Sequence, residues 1–154
     1  MSKQEPKNFA NTDLRWADMR GADLRYTNFF GAQMSHTDLA HSILQGVNLS
    51  GADLRGAKLT GANLNNANLD VAELSGAGFR QAIMQYADLT GAFLSYSNLQ
   101  GAGLYGVNLT RAGLGGADLS DANLIGADLT GADQTGAVLD NVIWPEGWKL
   151  VRDE

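Results

Sequence analysis

Cysteine is absent from this 154-residue chain, and proline and histidine occur only twice each. Without cysteine, the chain has no disulfide, no thiolate metal site and no cysteine nucleophile. No stretch approaches the roughly 18 consecutive apolar residues of a membrane-spanning helix, and the polar first eight residues lack the apolar segment of a secretory signal. We therefore expect a cytoplasmic protein that does not associate with membranes.

The two histidines, His36 and His41, do not predict a metal site. They are five residues apart, whereas a helical metal pair is three or four apart, and no third ligand accompanies them. Serine, threonine and aspartate are frequent, but no base in an identifiable pocket accompanies them. We expect no catalysis, no metal and no cofactor.

A period of five residues, in contrast, runs through the chain without a shift in register, and leucine occupies most of its central positions. Stepping by five from Leu14 to Leu139 visits 26 positions, of which 20 are leucine. The six exceptions are Met19, Phe29, Met34, Phe79, Met84 and Gln134. Two residues before this centre, 19 of 27 positions are alanine, and two residues after it stand 14 of the 19 glycines. The repeated unit reads Ala-(Asp/Asn)-Leu-(polar)-Gly.

A period of five fits neither a helix nor a regular strand. It would distribute the leucines around every side of a helix, and it drifts out of phase with the two-residue alternation of a strand. A short extended triplet followed by a turn does fit, with the first and third side chains pointing inward and glycine accepting a positive φ at the last turn position. Such segments bury their inward residues only by winding into a coil that stacks on itself.

Units such as 52–56 and 127–131 resemble those of the pentapeptide-repeat family, and the resemblance covers residues 9–144. It implies an all-β fold, a right-handed parallel β-helix of square cross-section with four pentapeptides per coil, about seven coils and short capped ends. Residues twenty apart would then be vertical neighbours. One such column predicts a ladder of hydrogen-bonded amides along the rod: Asn8, Asn28, Asn48, Asn68, Asp88, Asn108 and Asp128.

We divide the chain into a polar lead-in over residues 1–8, a solenoid over 9–143 and a capping tail over 144–154. An open solenoid exposes its last apolar layer, so we interpret Trp144 and Trp148 as a lid on the last coil. The tail is too short for the C-terminal module through which family members that protect DNA gyrase dimerise, and we expect a monomer. Its sequence resembles the ends of small cyanobacterial members, which suggests a bacterial source.

Charge is distributed unevenly along the chain. Residues 1–80 carry eight basic and eight acidic side chains, so the formal net charge of −6 belongs to residues 81–154. An acidic rod is not expected to bind nucleic acid, but it can attract a basic surface. One hypothesis is therefore a DNA mimic that occupies the DNA-binding saddle of a type II topoisomerase (gyrase), as the quinolone-resistance members of the family do. The unbroken register, the missing dimer module and the modest charge weigh against it.

Outward aromatic side chains favour a second hypothesis, which we prefer: a non-enzymatic scaffold that binds an unidentified protein partner through its flat faces. The alternative role of these rings is packing over neighbouring turns. The candidate partner surface comprises four aromatic and five acidic residues: Tyr86, Phe93, Tyr96, Tyr105, Asp118, Asp121, Asp128, Asp133 and Asp140.

Overall fold

The computed structural model describes residues 7–147, and in them one five-residue unit repeats throughout. Each unit has a single residue in a parallel β-bridge, an inward side chain on either side of it, and a two-residue turn. Within 7–147 there is no helix, and no strand is longer than the bridge residue. Bridges join each such residue to the one twenty positions later, from Asn8–Asn28 to Asn123–Ile143. The predicted vertical neighbours are therefore confirmed.

The bridge residues stand in four columns, and each column is the centre of one face of the rod. We number the faces in chain order, so that faces 1 to 4 start at Asn8, Asp13, Asp18 and Asp23. The turns form the four corners between consecutive faces. Face 2 is thus opposite face 4.

Backbone hydrogen bonds tie each unit to the coils above and below it. The Leu54 N–H donates to the carbonyl of Glu73 at 2.8 Å, and the Asp53 N–H donates to the carbonyl of Ala32 at 2.9 Å. Within the unit, the Ala57 N–H donates to the carbonyl of Leu54 at 2.9 Å and closes the turn. Because each unit is bonded in both directions, its backbone polar groups are satisfied without long strands.

The interior is filled by the residues that the period of five assigns to it. Leu54, Leu64 and Leu69 are fully buried, and so are the small residues two positions earlier, such as Ala52 and Ala62. Each pentad thus contributes one large and one small inward side chain, which lets neighbouring coils interdigitate at the density of a protein interior. The predicted inward register is confirmed.

Aromatic rings pack at both ends of this core. Phe9 stacks on Phe29 with ring centroids 5.4 Å apart. Trp144, the first residue of the predicted lid, is half-buried against the core. Trp148 and the rest of the tail lie outside the described residues, as do residues 1–6 of the lead-in.

The predicted amide ladder forms at the N-terminal end of face 1. Asn28 Nδ2 donates to Asn8 Oδ1, and Asn48 Nδ2 donates to Asn28 Oδ1, both at 3.1 Å. Among the described residues, the ladder ends at Asn48, because no side-chain bond joins Asn48 to Asn68 although both are amides. Further along this face, the side-chain oxygen of each column residue accepts the backbone N–H two residues along the chain, as in Asn68, Asp88, Asn108 and Asp128. The predicted ladder is therefore present only over its first three residues.

Every turn places its last residue in the left-handed region of φ. From Asn11 to Asn141, every fifth residue has a φ between 49° and 72°. Glycine adopts this conformation without steric cost, which explains its frequency at the position. Thirteen of these turn residues are not glycine, and their side chains project from the corners of the rod.

Two inward hydroxyl groups are buried without a hydrogen bond in the described part of the chain, those of Thr27 and Ser97. We expect Ser97→Ala to raise the free energy of unfolding by about 1 kcal/mol, because it removes an unpaired buried hydroxyl from an apolar layer. Urea denaturation measures the change. Ser42→Ala is the matched control, since the Ser42 hydroxyl donates to the carbonyl of Leu39 at 2.7 Å and its removal should give no gain. An equal gain in both variants would refute the explanation.

Candidate functional site

The nine residues of the predicted partner surface lie on different sides of the rod. Their positions are as follows: Asp128 on face 1, Phe93 and Asp133 on face 2, Asp118 on face 3, Tyr96 at the corner between faces 2 and 3, Asp121 and Asp140 at the corner between faces 3 and 4, and Tyr86 and Tyr105 at the corner between faces 4 and 1. The structure brings four of them together around one corner: Phe93, Tyr96, Asp118 and Asp133.

A row of glycines lies between the two aromatic residues, Phe93 and Tyr96, and one of the two acids, Asp133. On face 2, Phe93 pairs with Gly113, and Gly113 pairs with Asp133, in consecutive bridges. In the coil of Gly113, the turn from face 2 to face 3 consists of Gly115 and Gly116. Asp118 follows this turn as the bridge residue on face 3. We call the glycines of this row the glycine shelf: Gly113, Gly115 and Gly116.

The glycine shelf forms a step beside the two rings. Phe93 is 50% exposed and Tyr96 is 79% exposed, whereas the shelf presents backbone alone. The Tyr96 ring leans over the shelf, since a β-carbon on Gly116 would come within 2.7 Å of it. A β-carbon on Gly113 would meet nothing within 4 Å, so that end of the shelf is open. A partner can therefore reach the backbone and the ring edges together.

Two carboxylates that border the shelf are held in place by hydrogen bonds. The Ser120 hydroxyl donates to Asp118 Oδ1 and the Thr135 hydroxyl donates to Asp133 Oδ1, both at 2.6 Å. Each of these two carboxylates also accepts the backbone N–H of the same partner residue. The hydroxyl bonds, followed by the backbone bonds, lower the pKa of Asp118 and of Asp133 below the ordinary value. Both groups therefore carry a negative charge at neutral pH.

Other turn aromatics pack over neighbouring turns, as the alternative interpretation of these rings predicts. A β-carbon on Gly106 would come within 2.7 Å of the Tyr86 ring, one coil away. The same relation holds for three further pairs: Tyr26 with Gly46, His36 with Gly56 and His41 with Gly61. Tyr86 also meets Tyr105 edge to face, with ring centroids 5.5 Å apart. Each of these four rings therefore packs over a glycine that lies twenty residues later, at the same corner of the next coil.

Four arginines of the N-terminal half are paired within their own pentads, a feature that was not among the predictions from the sequence. Arg20 donates to both carboxylate oxygens of Asp18, at 2.8 and 2.6 Å. Three other pairs repeat this geometry: Asp13–Arg15, Asp23–Arg25 and Asp53–Arg55. The signal was the recurring Asp-x-Arg triplet, because residues on either side of an inward leucine point the same way. These four pairs neutralise eight of the charged side chains on this half of the rod.

We expect Arg20→Gln to raise the pKa of Asp18 toward its ordinary value. The side-chain hydrogen bonds from Arg20 lower that pKa to about 2 in the unmodified chain. A lowered pKa stabilises the fold above the ordinary value near 3.8, and this contribution is lost as the pH falls through about 2. NMR titration of the carboxyl carbon measures the midpoint. Arg55→Gln is the control and should leave Asp18 unchanged, whereas an unchanged Asp18 midpoint in Arg20→Gln would contradict the assignment.

His36 and His41 occupy exposed turn positions at consecutive corners, and His36 stacks on Trp16 with centroids 4.3 Å apart. Among the described residues, no group of three or more histidine or acidic side chains is arranged to hold a metal ion. Residues 7–147 also contain no helix with the length and apolar character needed to cross a bilayer.

A family model for pentapeptide repeats matches this chain with eight copies, over residues 8–35, 32–70, 72–111 and 104–141. One similar solved structure is HetL, a pentapeptide repeat protein involved in heterocyst differentiation regulation from the cyanobacterium Nostoc sp. strain PCC 7120. It is 31% identical over 92% of this chain and 86% of HetL, with a TM-score of 0.33. A comparison with curated proteins finds no match.

Two further structures resemble the fold more closely in shape. The pentapeptide repeat protein alr5209 from Nostoc PCC 7120 is 35% identical over 58% of this chain and 78% of alr5209, with a TM-score of 0.52. A trypsin-treated variant of QnrB1, a plasmid-mediated fluoroquinolone resistance protein, is 24% identical over 84% of this chain and 77% of QnrB1, with a TM-score of 0.51. At that identity, the likeness to QnrB1 concerns the fold alone.

Proposed function

The chain belongs to the pentapeptide-repeat family and folds as a right-handed β-helix. We propose that it is a non-enzymatic bacterial scaffold that binds a protein partner in the cytoplasm. Proteins of this family are in general structural or interaction proteins. The observation that carries the proposal is the glycine shelf, with two exposed rings on one side and two ionised carboxylates on its border. We expect the partner to bind there.

The chemistry of this corner favours a partner segment that presents a basic side chain next to an apolar one. Phe93 and Tyr96 offer ring surfaces on which a lysine or arginine gains about 0.5–1 kcal/mol by a cation–π contact. Asp118 and Asp133 border the same shelf and supply the opposite charge. The bare glycine backbone lets the main chain of the partner approach closely.

The rod also holds these groups in place before the partner arrives. The backbone N–H of Tyr96 is bonded to the carbonyl of Gly115 at 3.0 Å, and that of Gly113 to the carbonyl of Ala92 at 2.9 Å. A surface that is already ordered loses little conformational entropy when it binds. This rigidity, combined with exposed anchoring side chains, supports the proposed scaffold role.

Affinity capture from a bacterial lysate, with matched variants, tests the proposal. Phe93→Ser/Tyr96→Ser should lose at least one protein that the unmodified chain captures, because both ring anchors are removed. Asp118→Asn/Asp133→Asn should lose the same protein, and high salt should weaken its capture.

The controls place the same chemical changes elsewhere on the rod. Tyr26→Ser removes an exposed ring at another corner, and Asp121→Asn/Asp140→Asn removes two charges from the corner between faces 3 and 4. Both should retain the captured protein. If the shelf variants and the controls capture identical sets of proteins, the shelf is not the binding surface.

A second candidate function is the mimicry of DNA toward a type II topoisomerase. The observation that favours it is the net charge of −6 on residues 81–154, to which Asp128 contributes a carboxylate whose pKa is lowered by hydrogen bonds from Thr130. A gyrase supercoiling assay distinguishes the two functions. Inhibition of supercoiling by the unmodified chain, lost at high salt, would favour the mimic, and unaffected supercoiling would leave the scaffold.

A further inference from the structure

Face 4 differs from the other faces because its centre carries no charge after Asp23. Its remaining bridge residues are, in order, Ile43, Asn63, Ile83, Gly103, Asn123 and Ile143. The three isoleucines are 39% to 51% exposed. The corner toward face 1 adds further exposed apolar side chains from Tyr86, Tyr105 and Ile125. Along this strip the isoleucines are separated by asparagines and one glycine, and an uncharged strip with an apolar corner beside it is a candidate interaction surface.

The order of residues on face 4 is self-complementary. Consider two copies related by a twofold axis that crosses the face between Ile83 and Gly103, so that the rods run antiparallel. Ile43 of one copy then lies against Ile143 of the other, and Asn63 lies against Asn123. Ile83 of one copy lies against Gly103 of the other. A twofold interface requires such reciprocal matching. Apolar groups meet apolar groups, amides meet amides, and the side chain of Ile83 meets a residue that has none.

The charges favour the antiparallel arrangement over a parallel one. Residues 1–80 are neutral overall and residues 81–154 carry the net charge of −6, so antiparallel rods place each acidic half beside a neutral half. Parallel rods would place the two acidic halves side by side. At the corner between faces 3 and 4, antiparallel pairing also brings Arg80 of one copy within about one coil, or about 4.8 Å along the rod, of the level of Asp121 in the other.

From these observations, we propose that the chain forms an antiparallel homodimer through face 4. We expected a monomer because the tail is too short for a C-terminal dimerisation module. Face 4 supplies a lateral contact that does not involve the tail. The strip from Ile43 to Ile143 is about 24 Å long, and an extended pentad is at most about 16 Å wide. The buried area is then at most about 800 Å² for both copies together, the size of a small and transient contact, so the dimer is weak and depends on concentration.

The dimer leaves the glycine shelf accessible, because face 2 is opposite face 4. Each copy would present its shelf on the outer side of the pair, and the two shelves would point in opposite directions. One dimer could therefore hold two partner molecules at once and bind a multivalent partner more tightly than a single rod would.

The absence of cysteine permits a test that is specific for register. Ile43→Cys and Ile143→Cys are prepared separately, mixed, and treated with a bismaleimide that spans about 10 Å, the distance at which sheets stack face to face. The cross-linked dimer should be at least tenfold more abundant in the mixture than with either variant alone. The reason is that position 43 faces position 143 of the second copy and lies about 24 Å from the second copy's position 43.

Two outcomes would overturn the proposal. Cross-linking of each variant with itself, as efficient as in the mixture, would show parallel rods. No excess of cross-linked dimer in the mixture, at the highest soluble concentration, would show that face 4 does not pair in this register.

A second variant tests the contact between Ile83 and Gly103 without disturbing the rod. A β-carbon on Gly103 would meet nothing closer than the carbonyl of Ala82 at 3.9 Å, so Gly103→Ile should fold. It fills the position that receives the second copy's Ile83, and sedimentation equilibrium should show a dissociation constant raised at least tenfold. Gly78→Ile on face 3 is the matched control, because a β-carbon there would meet nothing closer than the carbonyl of Ala57 at 4.0 Å, and it should dimerise like the unmodified chain. Equal dimerisation of all three proteins would refute the interface.

Discussion

Leu64→Asp should abolish the cooperative unfolding transition of the rod. Leu64 is fully buried, and its N–H donates to the carbonyl of Ile83 at 2.7 Å, so its side chain has no route to water without breaking the stack. An unpaired carboxylate in such an interior costs several kcal/mol, a large fraction of the roughly 5–15 kcal/mol that stabilises a typical domain. Leu69→Asp should behave in the same way, because Leu69 is equally buried.

Thermal melting followed by circular dichroism measures this effect. Asn65→Asp is the matched control, since it places the same carboxylate one residue along the chain at an outward turn position. Asn65 Oδ1 accepts the Gln85 N–H at 2.9 Å, and a carboxylate can accept the same bond, so this control should melt close to the unmodified chain. A soluble Leu64→Asp protein with an unchanged melting curve would show that the inward register is wrong.

Gly106→Ala should lower the free energy of unfolding by about 2 kcal/mol or more. The φ of Gly106 is +64°, and alanine in this left-handed region costs about 1–2 kcal/mol. The new β-carbon would also lie 2.7 Å from two atoms of the Tyr86 ring, so the ring must move away from its packed position over residue 106. The loss therefore combines backbone strain with lost packing.

Two other glycines separate these contributions in urea denaturation. Gly76 has a φ of +67° with nothing within 4 Å of a β-carbon, so Gly76→Ala should show the backbone cost alone. Gly113 lies outside the left-handed region and is equally unobstructed, so Gly113→Ala should cost little. We expect the largest loss for Gly106 and the smallest for Gly113. Equal losses for Gly106 and Gly76 would show that the Tyr86 ring contributes nothing.

The inward side of the fold could be predicted from the sequence because it depends on local spacing. A leucine such as Leu54 and the alanine two residues before it point the same way in any extended triplet, so a period of five identifies the core without knowledge of the coil. The turn glycines follow from the same spacing, since the chain must turn a corner once per pentad.

The outward surfaces could not be predicted in the same way, because they depend on contacts between coils. To predict that the Tyr96 ring packs over Gly116, one must know the length of the coil as well as the period of the repeat. The four predicted residues around the glycine shelf are scattered over 41 positions of the sequence, from Phe93 to Asp133, and only the stacking brings them to one corner. The pairing of Arg20 with Asp18 is local, but its bidentate geometry depends on side-chain orientation rather than on spacing alone.

All of the surfaces described above depend on a coil of twenty residues, and cysteine pairs on outward bridge positions test this length most directly. Glu73 and Phe93 are bridge partners, and parallel neighbours lie about 4.8 Å apart, within the range of a disulfide. Glu73→Cys/Phe93→Cys should therefore form an intramolecular disulfide in dilute solution. Glu73→Cys/Asp88→Cys and Glu73→Cys/Asn98→Cys, fifteen and twenty-five positions apart, should not, because each pair lies on adjacent faces. Efficient oxidation of either control pair, with none in the first, would contradict the coil and every surface built on it.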